Sequence, residues 1–375
     1  MCIRDRFFAP TFTGISDDID IYGSLDIISA MNMNYTGDFR FMSNDTGHVI
    51  NAGGHTLQNV KFVGPGNGFD NAEWTLTNDL AVADSLIIGR GSLFTNGRTV
   101  RTKYLHIDPE TADTVNMDLG ASEIYINNGS WEVAGNNVFN LSPGSSEIII
   151  TGTGGTSDFI GGGMTYNNII FEPAGLQTIS NTVMGANTFN IFAIESGVNM
   201  ALEPVTQTMQ DLQINGKCLI NINIESTAPG SAATFSQASG TVDAGFFTIK
   251  DNIATGGAAF NASFSSDNGN VSGWNFVDTV GYPEFEVEAF ATIANCDTRN
   301  DGSAWVIAED AIGPITYEWS TSETVDSISG LVPGEYIVIV TDSLGCGDID
   351  TAVVELPPTA DFSLTGVVDH LCTGE

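Results

Sequence analysis

Across residues 7–280, short apolar runs alternate with stretches of Gly, Asn, Ser and Thr. The clearest runs are Leu86-Ile87-Ile88, Leu105-His106-Ile107, Ile124-Tyr125-Ile126 and Ile148-Ile149-Ile150. Ile169-Ile170-Phe171, Ile191-Phe192-Ala193 and Leu212-Gln213-Ile214 continue the series. Their starts are separated by 19, 19, 24, 21, 22 and 21 residues. So regular a recurrence points to a repeat architecture. The runs are rich in β-branched residues and too short for helices. Asn and Gly between them supply the left-handed angles that tight corners need. Stacking one coil on the next would satisfy each strand's backbone groups. The leucine-rich frame of Leu-x-x-Leu-x-Leu is missing, so the pattern predicts a parallel β-helix, or β-solenoid. A set of antiparallel sheets is the competing arrangement, and alternation such as Asn221-Ile222-Asn223-Ile224 suits either.

Beyond residue 280 the pattern changes. Pro283 and Pro357-Pro358 bracket a segment of short strands, of which Glu335–Thr341 is the clearest. Five to seven strands over 283–357 predict an immunoglobulin-like β-sandwich. The fold class expected for the whole chain is therefore all-β: a parallel β-helix/β-solenoid over 7–280, then an immunoglobulin-like β-sandwich.

Composition supports this and excludes several functions. Lys and Arg number 11 against 46 Asp and Glu, a net charge of −35. Nucleic-acid binding, which needs clustered cations on phosphates, is disfavoured. So is docking on anionic membranes, and no apolar run approaches the roughly 20 residues of a membrane helix. Only 15% of residues are charged, below the roughly 25% usual for globular chains. Polarity comes from amides and hydroxyls instead.

Three blocks resemble β-helical stalk regions of large secreted proteins from surface-gliding and polymer-degrading bacteria. They are Gly47–Ile50 with Leu57–Phe62 and Trp74–Leu76, then Gly91–Val100, then Asp251–Ala258 closing with Gly269-Asn270-Val271-Ser272-Gly273-Trp274-Asn275-Phe276. In the second region, Cys296–Ala304, Gly313–Ser320, Ile328–Tyr336 and Val340–Cys346 resemble the SprB repeat, in order and at that family's spacing. That family takes its name from a mobile surface adhesin, and its repeats occur in tandem on cell-surface and secreted proteins. The resemblance implies an extracellular or cell-surface protein whose partners are surface glycans or other polymers. Ala360–Glu375 resembles the first strand of a PKD-type domain. Met1–Arg6 resembles the translation of a sequencing adapter and is set aside. The chain is expected to be a fragment of a longer protein, with 358–375 opening a further domain.

Candidate chemistry is sparse. Cys296 and Cys346 lie at opposite ends of the small sandwich. They form a disulfide if the protein is extracellular, and two buried thiols otherwise. Cys218, beside an apolar strand, is expected as a core thiol. Ca²⁺ is the most credible cofactor, with Asp297 and Asp301 in an Asp-x-x-x-Asp-Gly loop as candidate ligands. Asp267-Asn268-Gly269-Asn270 offers further oxygens. Arg90, Arg98, Arg101 and Lys103 form one basic cluster that could grip an acidic sugar. Asp108, Asp113 and Asp118 follow it in sequence. His48 and His55 could face each other, though turn histidines are the simpler reading. His106 alternates with Leu105 and Ile107 and should point outward. No catalytic motif occurs, and no carboxylate pair is seen to recur from coil to coil. The expectation is a non-catalytic adhesin or stalk. The alternatives are a β-helical polysaccharide lyase or glycoside hydrolase with an accessory module, and a passive outer-layer protein.

Overall fold

The computed structural model describes residues 11–14, 18–63, 71–109, 114–134, 138–175, 177–218, 220–277, 285–294, 300–309, 311, 313–343 and 345–356. It divides into two compact units, Met1–Gly281 and Tyr282–Glu375. All the regular structure described is β.

The first unit is a parallel solenoid of about ten turns. Its strands run through three main sheets of 12, 14 and 6 strands, and every pairing among these sheets is parallel. The twelve-stranded sheet begins at Ile19–Ile21 and ends at Ser266–Asp267. At about 4.8 Å per strand this stack is roughly 50 Å long. Alternation decides which side chains enter. Ser85–Ile88 and Tyr104–Ile107 both bury every second residue.

One inward column shows how the coils are held together. Phe39, Val60, Leu86, Leu105, Trp131, Phe159, Val183 and Leu202 stack in register on eight successive strands. None is more than 2% exposed. Each such side chain contributes about 1.5–3 kcal/mol by leaving water. The steps along this column are unequal, short from Leu86 to Leu105 and long from Trp131 to Phe159. Insertions bulge at the corners while the registered strands stay aligned. Aromatic rings pack against one another in the core: Phe159 meets Tyr166 at 4.9 Å and Phe189 meets Phe192 at 5.1 Å, both edge-on.

The apolar runs do not all stack on one face. Leu86-Ile87-Ile88 and Leu105-His106-Ile107 pair directly on the twelve-stranded sheet. Ile124-Tyr125-Ile126 instead pairs with Ile148-Ile149-Ile150 on the fourteen-stranded sheet. The step from Leu105 to Ile124 therefore crosses from one face to another within the solenoid.

The cross-section also changes. The six-stranded third sheet runs from Leu25–Asp26 to Val138–Ser142 and then stops. The coils that follow use two sheets. The ten-residue strand Thr206–Asn215 then forks the fourteen-stranded sheet. Its first half pairs with Ala233–Gln237, and its last residue, Asn215, pairs with Gly245. The two branches end at Val271–Ser272 and Trp274–Val277.

The Gly-Asn-x-x-Gly-Trp-x-Phe block closes that end. Gly273 has a φ of +83° and lies against the Ala254 carbonyl, where a Cβ would collide. Trp274 packs edge-on against Phe247 and Phe260, at 5.4 and 5.2 Å. Its Nε1 donates to Asn252 Oδ1 at 3.0 Å.

The second unit holds two antiparallel three-stranded sheets. One comprises Glu286–Ala291, Gly302–Glu309 and Ser327–Leu331. The other comprises Thr316–Trp319, Gly334–Thr341 and Gly347–Val354. Their shared core includes Val306, Trp319, Tyr336, Val338 and Val340. Trp319 Nε1 donates to the Val325 carbonyl and Tyr336 Oη to the Val332 carbonyl, each at 2.8 Å. The Ala289 amide donates to Asp350 Oδ2 at 2.7 Å, tying one sheet to the other.

Candidate functional site

The outward faces of the solenoid carry ladders of amides and hydroxyls. On the six-stranded sheet Asn140 Nδ2 donates to Asn116 Oδ1 at 2.9 Å, and Asn116 Nδ2 donates to Ser92 Oγ at 3.1 Å. On the twelve-stranded sheet Asn223 Nδ2 donates to Asn199 Oδ1, and Thr248 Oγ1 donates to Asn223 Oδ1. A third ladder links Asn275, Asn261 and Asp243. In-register stacking makes these ladders: identical positions on adjacent coils sit one strand apart.

The second of these ladders borders a groove of about 390 Å³. Asn199, Asn223 and Thr248 line it, with Glu225 and Lys250 two residues further along the chain from Asn223 and Thr248. Among the described residues lining it, Glu225 is the only acidic one. Such a trough can hydrogen-bond an uncharged polymer laid along the coils, but it lacks the pair of carboxyls that glycoside cleavage requires.

Carboxylates gather elsewhere. Phe171 and Ile194 are registered on adjacent strands of the fourteen-stranded sheet, and Glu172 and Glu195 follow them. Burial raises the Glu172 carboxyl above its ordinary value, and the charges of Glu195 and Glu147 raise it further. Glu195 accepts from Asn215 Nδ2 at 2.6 Å. This sets two carboxylates on successive coils. The spacing hid them. Glu147, Glu172 and Glu195 recur at unequal steps along the chain, and Glu147 registers with Asn168 rather than with Glu172.

The four basic residues do not form one patch. Ser85 pairs with Tyr104, so residues 85–104 make a full circuit of the solenoid. Arg90 follows the twelve-stranded sheet, Arg98 lies in the turn before the fourteen-stranded sheet, Arg101 sits on that sheet, and Lys103 lies at the next corner. Arg101 covers the Tyr125 ring at 4.4 Å and Lys103 covers Tyr104 at 4.8 Å. Burial and the Glu123 and Glu172 carboxylates raise the Tyr125 hydroxyl, while Arg101 opposes them. Of the four, Arg101 is the one whose strand belongs to the same sheet as Glu147, Glu172 and Glu195.

The histidines do not converge. His48 Nε2 bonds Ser43 Oγ at 2.6 Å, and His55 Nε2 bonds the Ile28 carbonyl at 3.1 Å. His106 points outward and meets Glu132 at 3.1 Å. Asp118 Oδ1 accepts from the Gly120 amide at 2.9 Å, and Asp267 Oδ1 from the Gly269 amide at 2.7 Å, so both help to shape turns. Asp108 is exposed; Asp113 lies outside the described residues. Among the described residues no cluster of three His, Cys, Asp or Glu could hold a metal ion. Asp301 is exposed; its expected partner Asp297 lies outside the described residues. Cys346 is disulfide-bonded, and Cys296 also lies outside them. Cys218 is disulfide-bonded as well, which corrects the expectation of a core thiol.

No family model, no curated protein and no solved structure matches this chain.

Proposed function

We propose that this chain is a non-catalytic stalk and adhesive segment of a secreted or cell-surface bacterial protein. In this reading the solenoid is a stiff spacer and the antiparallel unit is an immunoglobulin-like module of SprB-repeat type. The observation that carries it is the continuous inward column from Phe39 to Leu202, wrapped in outward ladders whose amides bond one another. Such a rod resists bending, and its high negative charge keeps it soluble. Attachment is to surface glycans or related polymers. The test is binding of the chain to intact cells, coated surfaces and a glycan array, with and without Ca²⁺, alongside an assay for reducing ends. Binding without cleavage is expected. No binding to any of them would leave a spacer alone.

One observation favours a second reading, a polysaccharide-cleaving enzyme. Glu172 and Glu195 lie on adjacent strands of the fourteen-stranded sheet, and the Glu172 carboxyl is raised as a general acid's would be. In that case Glu172→Gln and Glu195→Gln would each abolish release of reducing ends.

A further inference from the structure

The outward face of one sheet in the antiparallel unit carries an aromatic pair, an exposed Trp305 on a half-buried Phe290. Phe290 and Trp305 are registered partners on neighbouring antiparallel strands. Their rings stack at 5.6 Å with only 15° between planes. Trp305 is 38% exposed, whereas Trp74, Trp131 and Trp319 are fully buried. A flat indole left in water on top of a second ring is costly, and exposed aromatic surface of this kind marks binding sites.

Its surroundings indicate the ligand. Ser327 lies opposite Trp305 on the third strand, and Ser303 lies opposite Ser329. Thr292 and Ser303 hydroxyls meet at 3.2 Å beside the rings. The platform is thus an apolar floor with a hydroxyl rim. Charge narrows the choice further. Residues 282–375 contain 18 Asp and Glu and, of Lys and Arg, Arg299 alone. A polyanion would be repelled by that excess, and recognition of its acid groups needs cations the region hardly holds. The opposite sheet also exposes apolar side chains, Ile337, Ile339, Ile349 and Val353, but these are aliphatic and offer no ring.

We infer that Trp305 and Phe290 form a binding platform for an uncharged glycan. The apolar face of a sugar ring stacks on the indole, and its hydroxyls meet Ser303, Ser327 and Thr292. The inference rests on the adhesive reading above and names its contact point and ligand class.

The test titrates the full chain with xyloglucan, laminarin and galactomannan as uncharged probes and alginate as an anionic one. Tryptophan emission and retardation in polymer-containing native gels report binding. At least one uncharged polymer is expected to bind and alginate is not. Trp305→Ala should weaken binding at least about tenfold, as loss of a central aromatic anchor does. Trp305→Tyr, which keeps a flat ring, should stay within about threefold, and Ile349→Ser on the opposite sheet should change nothing. Unaltered near-ultraviolet dichroism from Trp319 and Tyr336 shows that each variant is folded. Parental affinity in Trp305→Ala would overturn the platform while leaving adhesion standing. Equal affinity for alginate would overturn the ligand class. If no uncharged polymer binds, the platform is wrong, and binding to cells and coated surfaces then decides the adhesive reading separately.

Discussion

Asn187 and Gln207 sit one coil apart inside a corner of the solenoid, and neither is more than 1% exposed. Asn187 Nδ2 donates to Gln207 Oε1 at 3.3 Å, and Gln207 Nε2 donates to the Gly185 carbonyl at 2.6 Å. Asn187 Oδ1 accepts from the Gly163 amide at 3.0 Å. Three coils are therefore tied by buried side chains beside the Thr188–Thr208 strand pairing. Removing either amide strands buried backbone groups. Asn187→Ala is expected to cost about 2–4 kcal/mol, read as a lower urea midpoint. An unchanged midpoint would show that the amide pair is dispensable.

Glu172 gives a pH signature. Its carboxyl is raised by burial and by Glu195 and Glu147. A carboxyl with a raised folded value penalises the fold once it ionises. The penalty is fully present above that folded value and disappears as pH falls below the unfolded one. Glu172→Gln should therefore melt higher than the parent at pH 7, with the gap closing near pH 4. A variant that melts lower at pH 7 would contradict the repulsion.

Asp251 behaves in the opposite sense. Its Oδ2 accepts from the Gly230 amide at 3.0 Å and its Oδ1 from Asn270 Nδ2 at 2.7 Å. The Gly230 bond and then the Asn270 bond hold its carboxyl below the usual value, against a smaller effect of burial. The stabilisation is present above the unfolded carboxylate value, about 3.9, and is lost as pH falls through the lower folded value. Asp251→Asn should flatten the acid limb of the stability curve in that window. An acid limb as steep as the parent's would assign it to other groups.

Asp38 adds a second acid-sensitive group at the other end of the solenoid. Burial raises its carboxyl, but hydrogen bonds from Lys61 and Asn59 and the charges of Lys61 and Arg40 outweigh that and leave it lowered. Lys61→Met should weaken the stack near neutral pH, by about 1 kcal/mol for a half-buried pair, and the difference from the parent should vanish below the carboxylate range. Salt titration of the thermal midpoint checks it.

Gly273→Ala should damage the closing block. The added Cβ would meet the Ala254 carbonyl, at a φ of +83° that alanine disfavours. About 1–3 kcal/mol of local stability should be lost. Faster hydrogen exchange confined to 271–277 is the expected readout, and exchange at the parental rate would refute it.

Much of the fold was legible from the chain. The β-branched runs, the Gly and Asn corners and their regular recurrence pointed to stacked β-coils, because alternation and turn chemistry are local properties, while the parallel pairing that excludes antiparallel sheets from the solenoid is seen only in the strand registers. Tyr336, Val338 and Val340 could likewise be placed on one buried face from their spacing alone.

Other features depended on the tertiary structure. Which runs stack is a matter of non-local register: Leu105 meets Leu86 and Trp131, not Ile124. Corner insertions lengthen some coils and not others, so that Trp131 to Phe159 is a longer circuit than Leu86 to Leu105. Sequence distance therefore does not identify a face. For that reason the basic residues from Arg90 to Lys103 read as a cluster yet circle the solenoid. The same irregularity concealed the Glu172–Glu195 pair until the strands were registered. The Phe290–Trp305 stack joins residues of two antiparallel strands, and only their pairing set those two rings face to face.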